Sequence, residues 1–142
     1  MATIKLEIVS PDKVVYTADI NMLIVRSTAG ELGILPKHAP MVTGLIPHAM
    51  RVKIDGTESL IAVAGGFMEV QTEKITVLAS AAELPVEIDV LRAQKAYDRA
   101  RKRLEEFKNC TSSAECPVDG QRAEAALHRA MARLTASGNP VA

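Results

Sequence analysis

The chain brings three carboxylates, a guanidinium and several apolar side chains together in the run Glu83-Leu84-Pro85-Val86-Glu87-Ile88-Asp89-Val90-Leu91-Arg92-Ala93. That mixture could bind a small anionic ligand: the guanidinium supplies charge-assisted hydrogen bonds, and the apolar side chains exclude water. Asp89 has a second reading, because its short carboxylate also suits a helix N-cap. Further arginines follow at helical intervals. Arg92 and Arg99 are seven residues apart, as are Arg122 and Arg129, and Arg133 lies four beyond Arg129. If two helices fold against each other, these guanidiniums could converge on a polyphosphate. The same spacing equally describes a solvated basic face with i,i+4 pairing, and spacing alone leaves both readings open.

Other chemistry is poorly supplied. His38, His48 and His128 are scattered, and no serine or cysteine stands in a recognisable nucleophile setting. His38 and His48 lie near prolines and read as solvated or hydrogen-bonded loop histidines. No glycine-rich loop is followed by Lys-Ser or Lys-Thr, and no dinucleotide fingerprint occurs. A hydrolytic enzyme is therefore disfavoured. Cys110 and Cys116 are the only cysteines. Without a nearby histidine they do not make up the four ligands of a structural zinc site. They could close a small disulfide loop, but two exposed reduced thiols are the expectation for a cytosolic chain.

These residues need elements to position them, and the sequence changes character at Pro85. Before it, Ile4-Lys5-Leu6-Glu7-Ile8 alternates strictly, Val14 to Thr17 and Met22 to Val25 are β-rich, and Met50, Val52 and Ile54 alternate ahead of Asp55-Gly56, a hairpin signal. Ser59 to Ala64, Phe67 to Gln71 and Lys74 to Ala79 complete a series of short strands that predicts a sandwich or flattened barrel. After Pro85, Val90, Ala93, Tyr97, Ala100, Leu104 and Phe107 form one helical stripe, with Ile88, Arg92, Lys95, Arg99, Arg103 and Glu106 on the opposite side. Asp119 is a plausible N-cap for a second helix over residues 121–136, whose apolar face comprises Ala123, Ala126, Leu127, Ala130 and Leu134. The fold class is thus α+β: residues 1–85 form a β-sandwich and residues 86–142 an antiparallel helical hairpin. The hairpin's alanine-rich stripes bury little area, so its docking is marginal.

Composition narrows the field. The chain has 142 residues, 48% of them hydrophobic, which suffices for a real core. The formal net charge is zero and aromatic residues make up 3%, so a nucleic-acid surface would lack both a strong field and stacking platforms. No apolar run approaches the roughly 18 residues that span a bilayer, and the Met1-Ala2-Thr3 start leads into strand-like alternation. A cytoplasmic protein is expected.

Two further stretches, Gly30-Glu31-Leu32-Gly33-Ile34-Leu35-Pro36-Lys37-His38-Ala39-Pro40 and Gly65-Gly66-Phe67-Met68-Glu69-Val70, resemble the signature regions of the F-type ATP synthase epsilon subunit. The likeness extends from the first strand to Arg129-Ala130-Met131-Ala132-Arg133-Leu134. The first stretch reads as a scaffold loop, with glycines permitting turns and Pro36 and Pro40 stiffening the exit. The resemblance implies a ten-stranded β-sandwich that binds the gamma subunit and the ring of c subunits, with the loop carrying Glu31 and His38 facing the ring. It implies a hairpin that, when extended, reaches among the alpha and beta catalytic subunits and hinders ATP hydrolysis. The location implied is peripheral, on the cytoplasmic face of the cell membrane.

Ile88, Asp89, Arg92 and Ala93 match the Ile-Asp-x-x-Arg-Ala pattern of bacterial members whose hairpin senses nucleotide. By that match, Glu83 and these four hold the adenosine end of ATP, and Arg99, Arg129 and Arg133 take the phosphates. ATP is then a regulatory ligand that favours the folded hairpin, and no cofactor is required. The linker over residues 109–120 is longer than is usual for the family. The second helix is accordingly registered on its Arg-Ala-Met-x-Arg-Leu run, which selects Arg129 and Arg133 over Arg122. A separate class of function also fits the residues: a free-standing adaptor whose arginine-lined hairpin docks on an acidic partner.

Overall fold

A computed structural model describes residues 2–110 and 118–139. Ten strands come first: β1 (Ile4–Val9), β2 (Val14–Ile20), β3 (Met22–Ser27), β4 (Gly30–Ile34), β5 (Met41–Leu45), β6 (His48–Ile54), β7 (Thr57–Val63), β8 (Gly66–Val70), β9 (Lys74–Ala79) and β10 (Ala82–Glu83). A 3-10 turn at Pro85–Glu87 leads to two helices, α1 (Val90–Lys108) and α2 (Gly120–Ala136).

The alternation read from the sequence is what builds the sandwich. Ile4, Leu6 and Ile8 are buried, while Lys5 faces solvent and Glu7 is half-buried. The strand order is β10-β7-β6-β3-β5-β8-β9-β1-β2, with β4 paired to β3. All pairs are antiparallel except β1 with β9. The two halves of this order join through a single residue pair, Ser27 with Leu45. The sheet is therefore nearly closed, and both halves turn their inner faces onto one core that includes Leu6, Leu23, Met50, Ile61, Met68 and Ile75.

Gly66 has to be a glycine at one of the tightest points. Its φ is +142°, and a Cβ there would lie 2.1 Å from the Leu78 carbonyl oxygen. This gives the Gly65-Gly66 pair its physical reason, since β8 and β9 meet here too closely for any side chain.

The helices stack on the outside of one sheet. Asp89 and Asp119 cap α1 and α2, each accepting a hydrogen bond from the backbone N–H three residues on, at 3.0 and 3.2 Å. Phe107, near the end of α1, occupies the space that a side chain on Gly120 would need, 2.7 Å from its ideal Cβ. Arg92 and Arg99 share a cleft with Arg133 of α2, so the helices run antiparallel. α1 rests on α2, and α2 rests on β6 and β7.

Four expectations change. Gly30–Ile34 is strand β4 rather than loop, its register fixed by Leu23↔Ile34 and Arg26↔Glu31 pairing. Ile88 does not lie on the polar side of α1. It precedes the cap in extended conformation and is only 8% exposed, packed with Ala62 of β7 and Ala136 of α2. α2 is buried on two faces: Ala130 and Leu134 lie on one, Ala132 and Ala136 on the other, because residues two apart on a helix point in opposite directions. Finally, Cys110 is disulfide-bonded rather than a reduced thiol; Cys116 lies outside the described residues.

Candidate functional site

The joint between β10 and α1 forms one wall of a cleft of about 440 Å³ lined by Glu83, Glu87, Asp89, Arg92, Ala93, Lys95, Ala96, Arg99 and Arg133. Local geometry explains how they meet. Pro85 opens the 3-10 turn, which swings the chain from the sheet edge to the Asp89 cap. From there, residues 92, 95, 96 and 99 follow the i, i+3, i+4, i+7 pattern that lines one helical stripe. Ala93 and Ala100, one step round, are the two buried residues of α1. The basic stripe thus lies beside the α2 contact, at the edge where Arg133 reaches across.

Of the predicted nucleotide residues, Glu83, Asp89, Arg92, Ala93, Arg99 and Arg133 share this cleft. Ile88 lies behind it as a packing residue. Arg129 lines a smaller neighbouring crevice of about 10 Å³ together with Ala62, Val63, Glu83 and Arg133. Lys95, Ala96 and Glu87 also line the cleft but were not among the predicted residues. The signal for Lys95 was present, since it stands between Arg92 and Arg99 on their flank.

Electrostatics gives the cleft its sign. Each of its carboxylates already has a partner. Asp89 accepts from the Arg92 backbone N–H at 3.0 Å. Glu87 accepts from the Leu84 N–H at 3.2 Å and lies 3.9 Å from the Lys13 ammonium. Glu83 pairs with Arg133 at 2.5 Å. The side chains of Arg92, Lys95 and Arg99, by contrast, make no ion pair or hydrogen bond among the described residues. The cleft therefore has three uncommitted cations and no uncommitted anion. Its size falls within the roughly 300–1,000 Å³ of small-molecule sites.

The remaining predicted residues lie elsewhere. Glu31 is exposed on β4 opposite Arg26. It lines a second cleft, of about 350 Å³, between the sheet and α2, shared with Arg26, His48, Arg51, His128 and Thr135. His38 is half-buried in the turn after β4, its Nδ1 2.7 Å from the Ala39 carbonyl oxygen. His48, expected on a loop and not as a site residue, is instead the first residue of β6 and is buried, with Nδ1 2.6 Å from the Ile46 carbonyl and Nε2 accepting the Arg26 N–H at 3.1 Å. Those two contacts define the neutral tautomer with the proton on Nδ1. Burial lowers the pKa of His48 from the ordinary histidine value; the Ile46 bond opposes this, Arg26 adds to it and Glu31 opposes it.

Comparison with known proteins gives one result along the length of the chain. Residues 3–85 match the family described as ATP synthase, Delta/Epsilon chain, beta-sandwich domain, and residues 87–138 match its long alpha-helix domain. The ATP synthase epsilon chain of Bacillus velezensis is 48% identical over 139 residues, covering 98% of this chain and 100% of that protein. That of Halalkalibacterium halodurans is 46% identical over 138 residues, covering 97% and 99%. Among solved structures, a chain of the Euglena gracilis mitochondrial ATP synthase (OSCP/F1/c-ring) has a TM-score of 0.72 at 24% identity, over 90% of this chain and 77% of that one. A chain of the Tetrahymena thermophila mitochondrial ATP synthase, central stalk and c-ring, has a TM-score of 0.57 at 11% identity, over 96% and 97%. Both show a shared fold.

Proposed function

The chain belongs to the ATP synthase epsilon-chain family, and on that premise we propose that it is a non-catalytic rotor subunit whose helical hairpin senses ATP. Folded against the sandwich, the hairpin permits hydrolysis by the catalytic head. Extended among the alpha and beta subunits, it hinders hydrolysis. ATP in the cleft between β10, α1 and α2 favours the folded form and is bound without being cleaved.

The observation that carries this reading is the charge state of the cleft. Arg92, Lys95 and Arg99 are without ion-pair partners among the described residues, while every carboxylate beside them is occupied. A polyanion fits such a site and a cation does not. Because the walls come from the sandwich edge, α1 and α2, a ligand touching all three binds only the folded hairpin. At about 100 times its dissociation constant it adds roughly 2.7 kcal/mol to that form.

The opposite sheet supports attachment to the stalk. Phe67 pairs with Leu78 across β8 and β9, and Gly44 pairs with Phe67 from β5, so Val42, Phe67 and Leu78 share one outer face. They are 72%, 63% and 54% exposed. An apolar patch of this kind suits a permanent neighbour, here the gamma subunit, with the turn around His38 and the Glu31 strand toward the c-ring. The subunit is then peripheral at the cytoplasmic face of the cell membrane.

Calorimetric titration of the isolated chain with ATP tests the site. Saturable binding is expected, weakened about tenfold or more in Arg92→Ala by loss of charge-assisted bonds. Equal affinity in the two proteins would contradict the assignment. Deletion from Val86 onward should raise ATPase activity of the cognate complex, and unchanged hydrolysis would remove the inhibitory role.

A further inference from the structure

We propose that the second cleft, between the sheet and α2, is a binding site for a small amphipathic carboxylate. It shares no lining residue with the cleft at the β10–α1 joint, so the assignment does not rest on the nucleotide reading.

The register of the sheet builds its charged wall. Arg51 of β6 pairs with Ile24 of β3, and Arg26 stands two residues along β3 on the same outer face. Sheet geometry sets such diagonal neighbours roughly 7–8 Å apart, a separation from which two long guanidiniums can reach one carboxylate. Their charges are incompletely answered. Glu31 lies directly opposite Arg26, yet neither side chain makes an ion pair or hydrogen bond among the described residues. Arg51 gives one Nη to Glu58 at 2.9 Å, but Glu58 also serves Lys53 at 3.9 Å, and the other Arg51 donors remain. Against Glu31 and Glu58 this corner of the sheet therefore sets Arg26, Arg51 and Lys53, a positive excess that a monoanion balances. Arginine meets a carboxylate through parallel charge-assisted bonds.

The opposite wall is α2. His128, Met131, Ala132 and Thr135 follow the i, i+3, i+4, i+7 pattern of one helical stripe. Arg129 and Arg133 lie outside this stripe, on the flank that bears the other cleft and its crevice. Ala132 lines both the second cleft and the crevice, and it marks the line of contact between the two flanks. Ile24, Pro47, Leu60 and Met131 give the second cleft an apolar lining, and all four are half-buried, so they retain surface that a ligand can cover. Its volume of about 350 Å³ suits a small molecule. An inorganic anion would satisfy the arginines and leave the apolar surface wet. An uncharged apolar molecule would strip water from the guanidiniums and return nothing. A carboxylate on a short branched or aromatic body meets both demands. Because the walls belong to the sandwich and to α2, such a ligand binds only the folded hairpin.

The test is methyl NMR of the full chain titrated with phenylacetate, with the neutral phenylacetamide and with orthophosphate. Phenylacetate is expected to shift the Met131 methyl saturably. Phenylacetamide and orthophosphate should each bind about tenfold more weakly or worse, the first for want of charge-assisted bonds and the second for want of apolar contact. Arg26→Gln should weaken phenylacetate about tenfold and leave the melting temperature near that of wild type, since it is the Arg26 backbone N–H, not its side chain, that bonds His48. If Arg26→Gln does not fold, Arg51→Gln carries the same comparison. A Met131 methyl that does not shift saturably, equal affinity for phenylacetamide or orthophosphate, or a variant that binds phenylacetate as tightly as wild type would overturn the proposal.

Discussion

At the scale of single residues, His48 makes the most definite prediction. Its pKa in the folded chain lies below the ordinary value of about 6.5. The unfolded chain therefore takes up a proton that the native state refuses. Stability from His48 is complete above about pH 6.5 and is lost as pH falls from there toward its folded pKa. Urea midpoints at about pH 7.5 and about pH 5.5 should differ more in the wild type than in His48→Gln; parallel profiles would contradict this. Gly66→Ala should cost about 3 kcal/mol or more, because the new Cβ meets a backbone oxygen rather than a flexible side chain. Asp89→Ala should cost roughly 1 kcal/mol of helix stability through the lost cap. The residues that the sequence placed well are those whose roles are local. Asp89 and Asp119 cap helices three residues from their targets. The Glu83–Arg133 contact spans 50 residues, and no spacing rule reaches that far.

At the scale of elements, legibility followed periodicity. β9 has the ends that its sequence predicts, Lys74 and Ala79, because Ile75 and Val77 alternate with polar or exposed neighbours. β4 escaped because its two glycines resemble turn residues, although Leu32 and Ile34 point inward. β10 has only two residues and holds its place by pairing with Ala62 and Val63. The second apolar face of α2 is not legible in the sequence for a related reason. Alanines at 130, 132 and 136 satisfy no single stripe, and only the layering of α2 between α1 and the sheet makes sense of them. That layering predicts the effect of Ala136→Leu. The added volume must enter a tight contact with Ala62 and Ile88, at a cost of about 1–3 kcal/mol. The hairpin should then become sensitive to protease at concentrations that leave the sandwich intact; resistance equal to wild type would argue that α2 does not bear on the sheet as described.

For the whole molecule, a rigid sandwich carries a lightly held pair of helices. The sandwich has a continuous core of large side chains, whereas the sheet-to-α2 contact rests chiefly on Ala62, Ile88 and Ala136. Alanine buries little area, so a ligand contributing a few kcal/mol can decide whether the helices stay. The cleft at the β10–α1 joint is lined from the sandwich edge, α1 and α2, so such a ligand would touch all three. The direct test is the distance between a probe on the sandwich and one on α1, followed during ATP titration in the wild type and in Arg92→Ala. ATP should shift the wild-type distribution toward the docked distance and leave that of Arg92→Ala unmoved. A wild-type distribution that saturating ATP does not change would contradict the account.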